Sequence, residues 1–236
     1  MPPARRLCGR MPAPLRARLH RHHAALCAAS IKANTMKLYL SLTSPFARKV
    51  KVALLEKGTP AAFEEVRVDP WTTPPELAAA NPLSQVPTLI TDRGETIGNS
   101  DTILAWIERR FPQPSLLPTD AAALTRAQAV AAIAQGLIET TVGVVLERRR
   151  PPEQQSKAML DRRLVTIQRT VPALAQRFDR AREHFHHDGI GVACALAYLD
   201  LRLPEWDWRT AAPTLAEWQV WAEARASMRA SAPPAG

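Results

Sequence analysis

The chain has 236 residues, 46% of them hydrophobic, which allows one large domain or two small ones. Its formal charge is +9, but residues 1–35 hold seven Lys and Arg and no acid, and the remainder nets only +2. The folded body therefore lacks the clustered cations of a nucleic-acid groove, and no apolar run approaches the ~18 residues of a membrane-spanning helix. Neither nucleic acid nor membrane is an expected partner. Cys8, Cys27 and Cys194 form no disulfide framework and no metal-ligand spacing, which suits a reducing, cytoplasmic setting.

Residues 1–35 are Arg-rich and acid-free, the composition of a transit peptide. The reading preferred here is a disordered or mis-annotated extension, with Met36 as the true start. "KLYLSL" (37–42) is then a short strand. "SPFARKVKVALLEKG" (44–58) is a helix with apolar Phe46, Val50, Ala53 and Leu54 on one stripe and Gly58 as its stop. Arg48 and Lys49 in it read as surface residues. "AAFEEVRV" (61–68) is a second strand, followed by a Pro-rich loop at 69–82 with one short helix. "VPTLITDRGETIGN" (86–99) reads as a hairpin around "DRG", and "SDTILAWIERRF" (100–111) as a helix capped by Ser100.

Strand, helix, strand, hairpin and helix imply a small mixed α/β sheet with helices on both faces, expected over 36–112. "FPQPSLLPTD" (111–120) has the composition of a linker, assigned to 113–120, and 121–236 reads as all-helical. A long helix spans 121–150, with Gly136 and Gly143 as bends or close-packing points and "RRR" (148–150) as its solvated end. A second spans 153–185 and is kinked by Pro172. The apolar 191–203 segment suits the bundle centre, and 212–228 is one closing amphipathic helix that, with Trp206 and Trp208 before it, supplies tryptophans for packing. His184, His186 and His187 have no fourth ligand nearby, so no metal site is assigned. Cys194 reads as core.

Four segments occur in an order and spacing that carry a resemblance: "SPFARKV" after the first strand, "NPLSQVPTL" (81–89), "NSDTI" (99–103) and "ACALAYLDLRLP" (193–204). Together with "RRRPPEQQS" (148–156) they resemble the soluble glutathione transferases, in a bacterial subgroup, over residues 36–230. The resemblance implies a thioredoxin-like domain followed by an all-helical domain, commonly a homodimer. It implies a detoxifying transferase that uses reduced glutathione as cosubstrate, with no permanently bound cofactor and no metal. The second substrate would be a small hydrophobic electrophile.

A free thiol has a pKa near ~8.5, so the enzyme must stabilise the thiolate. A helix N-terminus and a hydroxyl donor do so, and Ser44 is the candidate catalytic residue; its plain alternative is an N-cap. Tyr39 is the competing hydroxyl, ranked second because it should pack between sheet and helix. The resemblance implies a cis bond before Pro87, turning the Val86 backbone toward the cysteinyl part of glutathione, with Gln85 near the glycyl end. Asn99 and Ser100 suit the γ-glutamyl carboxylate at a helix N-terminus. Asn99 stands where the family more often has an acid, and Asp101 is the carboxylate that would compensate. The start of the buried helix at 188–191 has Asp188 and two glycines in place of the usual cap. Leu137, Thr140, Thr141 and Val144 are the expected lining of the electrophile pocket. Two other functions fit the same residues: a non-catalytic binding protein of this fold, and a glutathione-dependent thiol oxidoreductase or peroxidase.

Overall fold

The computed structural model describes residues 35–181 and 183–234, so the expected extension lies almost wholly outside the described residues. Strand β1 (Met36–Leu40) alternates: Met36, Leu38 and Leu40 face one side and Tyr39 the other. It pairs in parallel with β2 (Phe63–Arg67) and antiparallel with β3 (Thr88–Ile90), which forms a hairpin with β4 (Thr96–Gly98). The sheet order is β2-β1-β3-β4. Helices α1 (Pro45–Glu56) and α3 (Ser100–Arg110) cover the Leu38 face through Val50, Leu54, Ile103 and Ile107. The short α2 (Pro75–Ala80) covers the opposite face, where Leu77 meets Tyr39 and Val86. This is the thioredoxin-like arrangement expected of the first half.

Local chemistry sets the element ends. Pro45 occupies the first turn of α1, where a missing N–H costs nothing, and Gly58 follows the helix at φ +68°. The cap of α3 is Asn99 rather than Ser100: at φ +68° its Oδ1 accepts from the Asp101 and Thr102 amides at 2.9 and 3.3 Å. Gly94, at φ +79°, closes the β3–β4 turn. The Val86–Pro87 and Gln113–Pro114 peptide bonds are both cis.

The remaining described elements are helical: α4 (Ala121–Arg148), α5 (Lys157–Arg177), α6 (His187–Arg202), α7 (Trp208–Ala211), α8 (Pro213–Glu223) and α9 (Ala226–Ala230). Several boundaries differ from expectation. Helix α5 ends at Arg177 rather than 185, where the Arg180 guanidinium turns back onto the carbonyls of Ala175 and Phe178. Helix α6 starts earlier than expected, and its cap position falls to His186, whose side chain makes no capping bond. The single closing helix is broken at Ala224 and Arg225, where Arg225 is drawn to Glu56 of α1 by two bonds of 3.0 and 2.6 Å. Helix α4 runs unbroken through Gly136 and Gly143.

Helix α4 also corrects the hydropathy reading. An 18-residue window of it reaches a mean hydropathy of 1.7, so by length and composition alone it could cross a membrane. Ala, Gly and Thr between the large apolar residues conceal that run. In the fold the helix lies along α5 and α6, burying Val130, Ala134, Leu137, Ile138 and Val144 in the largest core cluster.

That cluster continues into the first half. Helix α1 turns Val50 and Leu54 to the sheet and Val52 and Ala53 to the helical bundle. Being covered on two sides, α1 has no full solvent face, which overturns the surface reading of Arg48 and Lys49. Lys49 is only 2% exposed, and half-buried Arg48 donates to the Met228 carbonyl at 3.1 Å.

His187, at the start of α6, sits at the same joint. Its Nε2 lies 3.8 Å from Glu108, too far for a hydrogen bond, and Glu108 is already paired with Lys57 at 2.7 Å. Burial therefore prevails and holds the imidazole down at about 4, against the pull of Glu108 and with help from Lys57. The folded state refuses a proton that the unfolded chain takes up near 6.5. The contribution is complete above that pH and is lost progressively toward pH 4, by at most about 3 kcal/mol. In denaturant titrations at stepped pH, the wild type should lose more stability than His187→Gln between those limits. Parallel curves would remove this role.

Candidate functional site

Three backbone features converge on one cleft of about 560 Å³: the N-terminus of α1, the turn into β3, and the N-terminus of α3. Its walls include Ser44, Gln85, Val86, Pro87, Asn99 and Ser100, so the candidate catalytic residue and the five candidate glutathione-binding residues border the same space. Tyr39 does not; it is 6% exposed and packs against Leu77 and Val86.

The Ser44 hydroxyl oxygen accepts from the Ala47 amide at 3.2 Å, so the N-cap reading is realised. A hydroxyl has one hydrogen to give as well, and capping uses only the oxygen. The Ser44 hydrogen remains for a group in the cleft. At α3 the arrangement is complementary. Asn99 spends its carbonyl oxygen on the cap, while the Ser100 hydroxyl is buried and makes no hydrogen bond among the described residues. The Ser84 hydroxyl, also on the cleft wall, is likewise buried without a partner. Buried hydroxyls without partners are costly, and here both border a cleft that admits a polar ligand.

Asp101 points elsewhere. Its Oδ1 lies 2.6 Å from the Nζ of buried Lys49, which also donates to the Gln135 Oε1 at 2.6 Å. Gln135 in turn donates to Glu139 at 2.9 Å. Glu139 is the one carboxylate among the cleft residues described.

The far wall comes from α4 and α6, and it corrects the expected electrophile lining. Leu137, Thr141 and Val144 are 2%, 1% and 0% exposed in the bundle core, and Thr140 is outside the cleft as well. The face of α4 that borders the cleft carries Gln135, Glu139, Val142, Val145, Leu146 and Arg149. Ala, Gly and Thr spread around α4 leave no sharp polar stripe to show which face is inward. Tyr198 and Arg202 from α6 complete the wall, and Trp71 closes it from the loop after β2, with Arg149 over its ring at 5.1 Å. Burial pushes the Tyr198 phenol up despite nearby Arg202, so it stays protonated.

Among the described residues the chain brings no reactive sulfur of its own. Cys194 is fully buried in α6, and burial raises its thiol to about 11. His184 and His186 stack on each other at 5.0 Å, and no group of three or more metal-ligating side chains stands together among the described residues.

The profile of the glutathione S-transferase N-terminal domain matches residues 43–110. An uncharacterized GST-like protein of Escherichia coli K12, YibF, is 35% identical over 184 residues, 72% of this chain and 86% of that one. The chain belongs to the glutathione S-transferase family. A glutathione transferase family member from Pseudomonas fluorescens Pf-5, solved with bound glutathione, matches with a TM-score of 0.81 at 33% identity, over 85% of this chain and all of that one. The same family member has been solved with S-(propanoic acid)-glutathione, at a TM-score of 0.76. A glutathione S-transferase of Methylobacterium radiotolerans, in complex with glutathione sulfonate, matches at 32% identity with a TM-score of 0.79, over 86% and 96% of the two chains. These likenesses extend across the sheet and the helical half of this transferase-family chain.

Proposed function

We propose that this protein is a glutathione transferase that binds reduced glutathione in the cleft and activates its thiol for attack on an electrophile. One observation carries the reading: the buried, unpartnered Ser100 hydroxyl at the N-terminus of α3, on the same cleft as the open hydrogen of Ser44. A carboxylate there satisfies the Ser100 hydroxyl at the positive end of α3. The backbone of Val86 pairs with the middle of the tripeptide as an added strand, and Gln85 lies toward its glycyl end. The sulfur then meets Ser44 at the positive end of α1. Glu139 is the carboxylate available to the ligand's ammonium group, because Asn99 is committed to its cap and Asp101 to Lys49. The apolar part of the α4 wall receives the electrophile. We place the protein in the cytoplasm as a homodimer, on the family's habit.

Calorimetric titration with reduced glutathione tests the binding. The wild type should give saturable heat, and Ser100→Ala should weaken the dissociation constant about tenfold or more, the value of a hydrogen bond to a charged group. Absence of heat up to millimolar ligand would leave only a fold without its chemistry.

A further inference from the structure

The cleft carries two guanidinium groups, Arg149 and Arg202, and neither is in an ion pair among the described residues. Arg202 lies one turn beyond Tyr198 on α6 and stacks over its ring at 5.7 Å. Its Nε is buried and without a hydrogen-bond partner among the described residues. The neighbouring acids are already engaged: Asp200 holds Arg209 through two bonds of 2.8 Å and also accepts from Trp208, and Glu205 pairs with Arg148 at 2.7 Å. Arg149 enters the same space from the end of α4, held over Trp71 and without a carboxylate in ion-pair distance among the described residues. Glu139, the cleft's acid, is ten residues before Arg149 on the same helix, close to 15 Å away along it. Along α4 the cleft's negative group and Arg149 are therefore well separated. Tyr198 borders both the cleft and the small recess beside Ser44 and Pro45, which links the helix that carries Arg202 to the side where a thiolate would react.

We propose that the electrophile is itself an acid: a small unsaturated carboxylate whose anionic group is held by Arg202 and Arg149 while its alkene faces the glutathione sulfur. This rests on the transferase reading and narrows it, since an apolar lining alone would favour an uncharged electrophile. Planar guanidinium groups match a carboxylate with two parallel hydrogen bonds, and a partner would satisfy the orphaned Nε. The similar Pseudomonas fluorescens protein has been solved with S-(propanoic acid)-glutathione, whose sulfur substituent ends in a carboxyl group. In the reaction the thiolate forms a carbon–sulfur bond at the β-carbon, and the alkene π pair moves to the α-carbon. That carbon takes up one proton from solvent, replacing the one the thiol released. The product is a thioether, and nothing is oxidised or reduced.

Monomethyl fumarate and dimethyl fumarate separate the possibilities, each rate with glutathione divided by its uncatalysed rate. The enhancement for the monoacid should exceed that for the diester by about tenfold or more. Arg202→Gln should collapse the ratio, Arg149→Gln should reduce it, and Arg202→Lys should restore part of it. The loss should appear in the KM for the electrophile. Equal enhancement of both esters overturns the acid preference and leaves the transferase standing. A rise in the KM for glutathione instead also overturns it, by assigning the arginines to a carboxylate of the tripeptide. No turnover of either compound, with no heat on glutathione titration, removes both readings at once.

Discussion

Glu108→Ala should destabilise the fold by about 3–5 kcal/mol, because it leaves a buried ammonium group without its counter-charge. The Lys57 side chain is 0% exposed and Glu108 13% exposed, with 2.7 Å between Nζ and Oε2. Lys57 also donates to the Pro114 carbonyl at 2.6 Å, and Glu108 accepts from the Leu116 amide and the Ser115 hydroxyl at 3.2 and 3.0 Å. The pair thus ties the end of α1 and the last turn of α3 to the segment that leads into the helical half. Leu116 in turn receives the His187 amide of α6 through its carbonyl at 2.9 Å. The expected loss is a large part of a typical total of about 5–15 kcal/mol and should lower the melting temperature by roughly 10 °C. Glu108→Gln keeps the shape and some hydrogen bonds but not the charge, and should lie between wild type and Ala. The double replacement Lys57→Met with Glu108→Leu should recover most of the loss, since no charge is then stranded. A melting temperature within 2–3 °C of wild type for Glu108→Ala, about 1 kcal/mol, would show the pair to be dispensable.

The same buried pair shows what local sequence conveys and what it does not. The sheet, α1, α3 and the β3–β4 hairpin were legible because each has its own periodicity and its own cap or turn residues. The cleft residues of the first half were legible for the same reason: Ser44, Pro87 and Ser100 sit in short motifs whose geometry is local. Lys49 read as a surface residue, and no local pattern marks Lys57 or Glu108 as buried, because their burial comes from elements outside their own helices. Gln135 reaches Lys49, and the Ser115–Leu116 turn reaches Glu108. The start of α6 misled for another reason. Gly189 and Gly191 look like helix breakers, yet a Cβ on Gly189 would stand 3.2 Å from Phe185, and one on Gly191 3.4 Å from the Ala134 methyl. They permit close approach inside a helix. The α4 wall was misread by a rotation about the helix axis, since Leu137, Thr141 and Val144 are as suitable for a pocket as Val142, Val145 and Leu146. Arg202 carried no signal of a role in the site, because only the fold brings it to the cleft wall.

Ser44→Ala should lower kcat/KM for conjugation by about ten- to a hundredfold, the range of one hydrogen bond to a charged group. The difficulty is that Ser44 also caps α1 through its 3.2 Å bond from the Ala47 amide, and losing a cap costs about 1 kcal/mol by itself. Ser44→Gly separates the two roles. Glycine is tolerated at a cap for a few tenths of a kcal/mol but brings no hydroxyl, so stability should stay near wild type while activity falls as far as in Ala. Ser44→Thr, which has both cap oxygen and donor, should keep stability and part of the rate. The physical cause would show directly in the bound thiol. The hydroxyl's hydrogen bond favours the thiolate over the thiol, so removing about 1.4 kcal/mol of it raises the thiol pKa by about one unit. Titrating thiolate absorbance in the glutathione complex should show that rise in Ala and Gly alike, with the helix dipole of α1 still holding the pKa below its value in free solution. If Ala and Gly bind glutathione with an unshifted thiol pKa and turn over at the wild-type rate, Ser44 is a cap alone, and the thiolate is stabilised by the helix end without it.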